Sequence, residues 1–334
     1  MNDPAPSAPE GDRTLSASRP RLDAVDLARG AAVVAMAIYH TAWDLGELQL
    51  IPVDVARQPG WLLFARAIAA TFLTLVGVGL VLAHGDGVRL RSFARRLALV
   101  AAAALAVTAA TALAFPASYV FFGILHNIAL SSALALPLVR APLVLPAGLA
   151  VVAWAAPLLF AGPVFDAPAL AFLGLGERVP NTNDYVPVFP WSGFVFAGVV
   201  LARLALPRIP AAPEQAQSGP VRRALAGLGR HSLLFYLLHQ PVLFGLLWGV
   251  LQVTGPHPAA EAEPVLRACR TTCAARGGTV PSCETGCSCA VEALKREGLW
   301  TFTLRGQASP AESTRAAAAA RACFPAPEQP RDRG

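Results

Sequence analysis

Seven apolar blocks constrain the fold of this chain more than any other feature of its sequence. They run approximately over 23–45, 61–83, 93–114, 117–138, 142–161, 190–206 and 232–253. Each is close to the roughly 20 residues that an α-helix needs to cross the hydrocarbon core of a bilayer. Charged residues make up 14% of the chain, whereas a soluble domain usually has about 25%. The sequence therefore predicts an all-α, polytopic transmembrane helical bundle with about seven spans.

The arginines in the connections predict the orientation of this bundle. Thirteen arginines lie before the first span and around the second–third, fourth–fifth and sixth–seventh connections, whereas the opposite connections hold only Arg57 and Arg178. Cytoplasmic loops carry the excess of basic residues. We therefore expect a cytoplasmic N-terminus and, after seven spans, a C-terminus outside. The net charge of +6 then reflects topology, and no nucleic-acid partner is expected.

Composition divides the chain into three segments. Residues 1–20 are rich in Pro, Ala, Ser and charge and predict a disordered leader rather than a cleaved signal peptide. Residues 21–254 form the membrane domain. Residues 255–334 form a small helical tail that contains all six cysteines. Disulfides persist in oxidising compartments, so a cysteine-rich tail agrees with its expected position outside.

The cysteine spacing predicts a stapled helical hairpin in the tail. Two pairs spaced i,i+4 lie on two short helices, which favours Cys269–Cys287 and Cys273–Cys283 and leaves Cys289–Cys323. Six cysteines allow 15 connectivities, so the pairing is a hypothesis. A zinc site is the alternative, although zinc pairs more often use a two-residue gap.

The first span carries polar residues on one face. In the stretch Arg21–Leu45, a helix places Asp26, Arg29, His40 and Asp44 within an arc of about 60°. A charge in the bilayer core is costly, so such residues face a protein interior or a wet cavity. His40 and Asp44, spaced i,i+4, are the best candidates for a general base and its orienting carboxylate. The alternative is a hydrogen-bonded pair that only fixes helix packing.

Three further polar residues in the spans have both a functional and a structural interpretation. Arg66 and His126 could stabilise an oxyanion, but Arg66 could instead snorkel to the interface and His126 could belong to a polar packing seam. His239 could bind a cofactor or merely satisfy the carbonyl freed by Pro241. Counted from the ends of their spans, His40 and His239 are expected at different depths. No metal site is expected.

Four segments of the chain carry a resemblance to a known family. They are RLDAVDLARGAAVVAMAIYHTAWDL from Arg21, FFGILHNIALSSALALPLV from Phe121, DYVPVFPWSGFVFAG from Asp184 and GRHSLLFYLLHQPVLFGLL from Gly229. Together they resemble bacterial members of the heparan-alpha-glucosaminide N-acetyltransferase catalytic-domain family, a group of multi-pass membrane acyltransferases. In that group an Asp-x-x-Arg-Gly run leads into a polar residue further along the same helix, here His40. The similarity spans about residues 20–250.

The resemblance implies that acetyl-CoA from the cytosol donates an acetyl group to a sugar hydroxyl or amine on the far side of the membrane. The protein is then expected in the bacterial inner membrane, with a periplasmic tail and an envelope glycan as acceptor. In the lysosomal member of the family the position of His40 holds an asparagine, and the essential histidine lies in the following loop. This chain has no histidine between His40 and His84, so only the location of the reaction centre is transferred.

Two groups of residues are candidates for binding the substrates that the resemblance implies. The CoA phosphates could be attracted by cytoplasmic arginines and by a histidine, namely Arg95, Arg96, Arg222, Arg223 and His239, although topology alone also explains the arginines. The acceptor could be bound by the polar run of the outer connection and the next helix, namely Asn183, Asp184, Tyr185 and Trp191.

Two other functions remain open at this point. The chain could be a proton-coupled transporter that uses the intramembrane histidines as a relay, or a non-catalytic membrane scaffold whose tail binds an envelope partner. A homodimer is a further expectation.

Overall fold

A computed structural model describes residues 23–208, 219–300 and 309–324. Within this part of the chain the regular structure is helical, as predicted, and one isolated parallel bridge pairs Phe122 with Tyr185. The α-helices are α1 (Asp23–Glu47), α2 (Pro59–His84), α3 (Leu90–Ala114), α4 (Ile124–Ala135), α5 (Val144–Phe160), α6 (Val188–Ala205), α7 (Pro220–Arg230), α8 (Ser232–Thr254), α9 (Pro258–Ala275), α10 (Val280–Arg296) and α11 (Pro310–Arg321). The predicted leader, residues 1–20, lies outside the described residues.

Four helices in the described part of the chain are long and apolar enough to cross a membrane. They are α2, α3, α6 with its 3₁₀ extension to Arg208, and α8. The other three predicted spans fall on α1, which has 25 residues but carries charges, and on two shorter apolar helices, α4 and α5.

The fourth predicted span differs most from the structure. It was expected over 117–138, but α4 begins only at Ile124 and has 12 residues. The chain before it is irregular, and its backbone groups bond the connection before α6: Asn183 N donates to Ser118 O over 2.9 Å and Val186 N to Phe122 O over 3.2 Å. Apolar composition therefore identified this segment as buried without showing that residues 117–123 are not helical.

The chain forms two compact units, Met1–Ala35 with Ala67–Leu237 and Met36–Arg66 with Leu238–Gly334. In the first unit the apolar faces of α2, α4, α5 and α6 share one core. Small residues allow α2 and α6 to approach closely, because a Cβ on Gly77 would lie 2.1 Å from the carbonyl oxygen of Val195. This is the small-residue packing typical of membrane helices.

The second unit contains the tail, the end of α1 from Met36, the start of α2 up to Arg66 and the part of α8 from Leu238. Helices α9, α10 and α11 are joined by three disulfides, Cys269–Cys287, Cys273–Cys283 and Cys289–Cys323. These are the three pairs that the spacing predicts, and because all six sulfurs are bonded they leave no thiolate for zinc. A small apolar core that includes Val291, Leu294 and Trp300 lies beneath them.

Candidate functional site

Four polar side chains of α1 and α8 form a cluster in the second unit, called here the histidine cluster: His40, Asp44, His239 and Gln240. Asp44 is fully buried, and its Oδ1 accepts a hydrogen bond of 2.6 Å from Nε2 of Gln240. The ring of His40 lies edge-on to the ring of His239, with 4.8 Å between their centroids. The i,i+4 spacing on α1 and the adjacent positions on α8 bring the four groups together.

Three buried atoms of the histidine cluster, His40 Nδ1, Asp44 Oδ2 and Gln240 Oε1, have no hydrogen-bond partner among the described residues. Buried polar groups are nearly always hydrogen-bonded, because leaving one unpaired costs about 1–3 kcal/mol. Three such atoms in one cluster point to a site that a polar ligand or water satisfies. An imidazole beside a carboxylate also provides the groups that general acid–base catalysis requires.

The structure gives Asp44 a different hydrogen-bond partner from the one that the sequence suggests. The spacing predicts that Asp44 orients His40, whereas the hydrogen bond of Asp44 goes to Gln240. Spacing along one helix shows which residues share a face, but the partner on another helix depends on tertiary packing. Gln240 was therefore missed as a site residue, although it lies beside His239 and before Pro241.

The expected difference in depth between His40 and His239 is wrong, because their rings are in contact. Residue counts from the ends of two spans give relative depths only if both helices begin at the same level. The level at which each helix begins depends on tertiary packing, which the sequence pattern does not show.

Arg66, on α2, is exposed and forms no hydrogen bond or ion pair with the other residues that the structure describes. Its predicted role as an oxyanion ligand stays a prediction, and its exposure agrees with the snorkelling alternative.

His126 lies in the first unit, where both of its ring nitrogens take part in local structure. Nδ1 accepts a 3.2 Å hydrogen bond from Gly123 N at the start of α4, and Nε2 lies 3.2 Å from Thr108 Oγ1. Thr108 Oγ1 donates in turn to Val120 O. The chain of hydrogen bonds is complete when His126 is neutral with its proton on Nε2. This arrangement supports the packing interpretation of His126.

The polar run before α6 also forms local hydrogen bonds. Asp184 Oδ2 accepts from Ile124 N over 2.9 Å at the N-terminus of α4, and the hydroxyl of Tyr236 donates to the same carboxylate. Burial raises the pKa of Asp184, and these two hydrogen bonds oppose the rise. Tyr185 donates to Ala171 O over 2.7 Å, whereas the Asn183 side chain is exposed. Asp184 and Tyr185 thus position the connection, which leaves Asn183 as the candidate whose side chain faces outward.

A buried amide attaches the end of the connection before α6 to α4. Asn127, which is fully buried, donates from Nδ2 to Val186 O and Pro187 O over 3.2 and 2.8 Å and accepts from Ser131 Oγ. Trp191, predicted to bind the acceptor, packs against the core of the first unit and lies 5.7 Å from the Phe194 ring.

A second candidate site is a cavity of about 880 Å³ in the first unit, called here the arginine cavity. Two aspartates, Asp26 and Asp86, and five arginines line it: Arg29, Arg89, Arg96, Arg140 and Arg203. The excess of guanidinium groups gives the cavity a positive charge. Arginine forks match phosphate oxygens in geometry as well as in charge, so the arginine cavity suits a phosphorylated ligand.

The walls of the arginine cavity hold most of these guanidinium groups in place. Arg29 pairs with Asp26 over 3.6 Å and donates to Leu75 O, Arg89 donates to Ala83 O, and Arg203 donates to Ala141 O. By contrast, Arg96 forms no hydrogen bond or ion pair with other described residues. Its charge is therefore available to a ligand.

Of the four arginines predicted to attract CoA, only Arg96 lines the arginine cavity. Arg95 is exposed on α3, and Arg222 and Arg223 lie on α7 outside the cavity lining. The other four lining arginines, Arg29, Arg89, Arg140 and Arg203, are not among the residues predicted to attract CoA. Their convergence depends on the packing of α1, α3 and α6, which the sequence pattern does not show.

Comparison with known proteins identifies the family. No curated protein and no solved structure matches the chain. The sequence profile described as "Heparan-alpha-glucosaminide N-acetyltransferase, catalytic" matches residues 21–241, a segment that contains the whole histidine cluster and all the residues that line the arginine cavity. The tail lies beyond the matched segment. The chain belongs to the heparan-alpha-glucosaminide N-acetyltransferase catalytic family.

Proposed function

We propose that this protein is a membrane acetyltransferase that moves an acetyl group from acetyl-CoA to a sugar hydroxyl or amine of an envelope glycan, with His40 as the general base. The family supports the reaction class. The observation that carries the assignment to this site is the histidine cluster, in which a half-buried imidazole, a buried carboxylate and a carboxamide leave three buried polar atoms unpaired.

The arginine cavity supports acetyl-CoA as the donor. CoA carries a pyrophosphate and a further phosphate, and the cavity offers five guanidinium groups against two carboxylates. Arg96 and Arg29 would hold these phosphates, because both line the cavity and Arg96 has no other partner among the described residues. Acetyl-CoA supplies the acetyl group as an activated thioester. The proposal uses no metal.

The groups of the histidine cluster can perform the proton transfers of the reaction. His40 accepts the proton of the acceptor hydroxyl or amine while that oxygen or nitrogen attacks the thioester carbonyl. A C–O or C–N bond forms, the C–S bond breaks, and the proton passes from His40 to the departing sulfur, directly or through the adjacent ring of His239. Asp44 provides negative charge one helical turn from the imidazolium, and Gln240 holds Asp44 in position.

The orientation of the protein follows from the same proposal. Seven spans with the N-terminus in the cytoplasm place the arginine-rich connections on the side where acetyl-CoA is available. The disulfide-bonded tail is then periplasmic, where disulfides persist. The bacterial inner membrane provides both conditions.

Transfer of radiolabelled acetyl groups to cell-envelope glycan by the purified protein in detergent tests the function. We expect His40→Ala to lower kcat by at least about a hundredfold, because a positioned base contributes roughly 10²–10⁴-fold. The matched control is His231→Gln, which alters an exposed histidine outside the cluster. Transfer by His40→Ala at the wild-type rate would reject the base. Substrate-dependent proton uptake in proteoliposomes without any acetyl transfer would instead support a transporter.

Two adjacent arginines of α3 provide a separate test of the donor site. Arg96→Gln should raise the KM for acetyl-CoA about tenfold and leave kcat nearly unchanged, because the guanidinium contacts phosphates far from the reacting carbonyl. Arg95→Gln, one residue away but outside the arginine cavity, should leave both constants unchanged. Equal effects of the two substitutions would mean that general surface charge, and not the cavity, attracts CoA.

A further inference from the structure

A small cavity in the second unit lies where the tail meets the connection after α1. It has a volume of about 260 Å³ and is called here the tail cavity. Its lining includes Trp43 and Glu47 from the last turns of α1, Asp54 from the connection, and Glu263 and Arg267 from α9. One wall thus comes from the family domain and the other from the tail, which lies beyond residues 21–241.

Specific contacts hold the two walls of the tail cavity together. Arg267 Nη1 donates to Asp54 Oδ2 over 2.9 Å, and the backbone N–H of His257 donates to Gln49 O over 2.8 Å. Two of the lining residues, Val55 and Ala260, are buried beneath these contacts. The walls of the tail cavity are therefore held against each other by hydrogen bonds and buried side chains.

The groups that line the tail cavity are those that bind sugars. The flat face of an indole such as Trp43 packs against the C–H face of a sugar ring and keeps a polar N–H at its edge. Carboxylates accept hydrogen bonds from several hydroxyl groups, and a guanidinium donates to ring and hydroxyl oxygens. About nine water molecules would fill 260 Å³ in the liquid, which is space for one sugar ring.

The charge of the tail cavity selects the class of sugar. Three carboxylates, of Glu47, Asp54 and Glu263, and the guanidinium of Arg267 line the cavity. Asp54 pairs with Arg267 and Arg57, and Glu263 pairs with Arg267 and Arg270, so arginines compensate both of these carboxylates. Glu47 forms no ion pair among the described residues. Its free carboxylate favours hydroxyl donors and ammonium groups over sulfate, phosphate and uronate groups.

The tail cavity also lies on the helix face that carries His40. Trp43 and Glu47 follow His40 by three and seven residues on α1, and residues at these spacings share one face of a helix. We propose that the tail cavity binds one neutral or amine-bearing sugar ring of the acceptor, so that the tail determines which acceptor is used. Sugar binding is inferred from the residues of the tail cavity alone, whereas the role of that sugar as acceptor rests on the proposed function.

Sugar binding to the full-length protein in detergent tests this inference, with saturation-transfer NMR as the readout and no acetyl-CoA present. The probes are glucosamine and glucose, with glucose 6-phosphate and glucuronate as anionic counterparts. We expect the first two to bind and the anionic sugars to bind at least tenfold more weakly. Trp43→Ala and Glu47→Gln should each weaken binding about tenfold, and Trp43→Phe should restore most of it.

The matched control is Glu292→Gln, which removes a tail carboxylate that pairs with Lys295 outside the cavity. Sugar binding by this variant should be unchanged. The melting temperature of each variant shows whether it is folded. The inference would be overturned if neither glucose nor glucosamine bound, or if glucose 6-phosphate bound as tightly as they do. It would also be overturned if the folded Trp43→Ala variant bound sugar as tightly as the wild type. Because acetyl-CoA is absent, a failure of acetyl transfer with binding retained counts against the proposed function and not against the cavity.

Discussion

Asp184 lies in a sequence that suggests a ligand-binding residue, but in the structure its carboxylate holds elements of the fold together. It lies in the polar run of the connection before α6, which the sequence predicts to be outside the membrane, and this position suggested contact with an acceptor. In the structure its Oδ2 accepts from the first N–H of α4 and from the hydroxyl of Tyr236. A carboxylate at a helix N-terminus satisfies an unpaired donor and interacts favourably with the helix dipole.

Two substitutions distinguish these roles of Asp184. Asp184→Asn keeps an oxygen that can accept both hydrogen bonds and should change the free energy of unfolding little. Asp184→Ala leaves two buried donors unpaired and should cost about 1–3 kcal/mol. Thermal unfolding in detergent measures both. If Asp184 instead binds the acceptor, Asp184→Asn would raise the KM for the acceptor without changing stability.

The pH dependence of stability follows from the pKa of Asp184, which burial raises. The pKa of Asp184 is about 4 in the unfolded chain and higher in the folded protein. At a pH between these two values, the folded state binds more protons at Asp184 than the unfolded state does. The contribution of Asp184 to stability therefore falls as pH rises through this window. We expect the wild-type melting temperature to fall relative to that of Asp184→Asn as the pH is raised from about 4, and a constant difference would contradict the assignment.

Individual residues of the candidate site differed in how far the sequence could predict them. His40 and Asp44 were found because their i,i+4 spacing in an apolar helix requires burial of both. The pairing of Asp44 with Gln240 could not be found, because it joins residues 196 positions apart. For the same reason, the sequence identified Arg96 but not the four other arginines that line the cavity with it.

The Asp-x-x-Arg-Gly run of α1 has a packing role at its last position. A Cβ on Gly30 would lie 2.0 Å from the carbonyl oxygen of Leu225 on α7, and Gly229 makes the reciprocal approach to the backbone of Asp26. The two backbones can cross at this distance only because both positions lack a side chain.

Substitution of Gly30 by alanine should destabilise the protein by about 1–3 kcal/mol, because the helices must move apart to accept the methyl group. The matched control is Gly148→Ala in α5, where nothing lies within 4 Å of the added Cβ. That change should be neutral or stabilising by about 0.5–1 kcal/mol, since alanine loses less backbone entropy than glycine in a helix. Thermal melting in one detergent compares the two, and equal melting temperatures would mean that the α1–α7 crossing adapts freely.

The sequence predicts the bounds of a helix well where the apolar block and the helix cover the same residues. The predicted spans 61–83 and 232–253 agree with α2 and α8 within two residues at each end. The prediction failed at 117–123, where hydrogen bonds to the connection before α6 replace those of a helix. Composition reports burial, whereas the partner of each backbone group depends on the rest of the fold.

At the scale of the whole molecule, two cavities of different charge fit the two substrates that we propose. The arginine cavity of the first unit has an excess of guanidinium groups, which suits the phosphates of CoA. The tail cavity of the second unit has the free carboxylate of Glu47, which suits an uncharged or amine-bearing sugar. The homodimer expected from the sequence has no support in the structure. In our proposals, a single chain provides a donor site, a reacting group and an acceptor site.

The proposed orientation makes the tail accessible from outside the cell membrane. After mild reduction of spheroplasts, a membrane-impermeant maleimide should label the tail cysteines, all six of which form disulfides. The control is Ser92→Cys at the start of α3, beside the arginine-rich connection; its thiol should react only after the membrane is permeabilised. Without reduction, the tail should not react, because its cysteines are bonded.

The opposite labelling pattern would have a wider consequence than a reversed topology. If the tail cysteines reacted only after permeabilisation and Ser92→Cys reacted from outside, the excess of arginines would lie outside. The arginine cavity would then be separated from cytosolic acetyl-CoA, and the disulfides would have to persist in a reducing compartment. The use of acetyl-CoA as donor, the oxidising location of the tail and the proposed orientation of the bundle therefore depend on one another. This one labelling experiment tests all three.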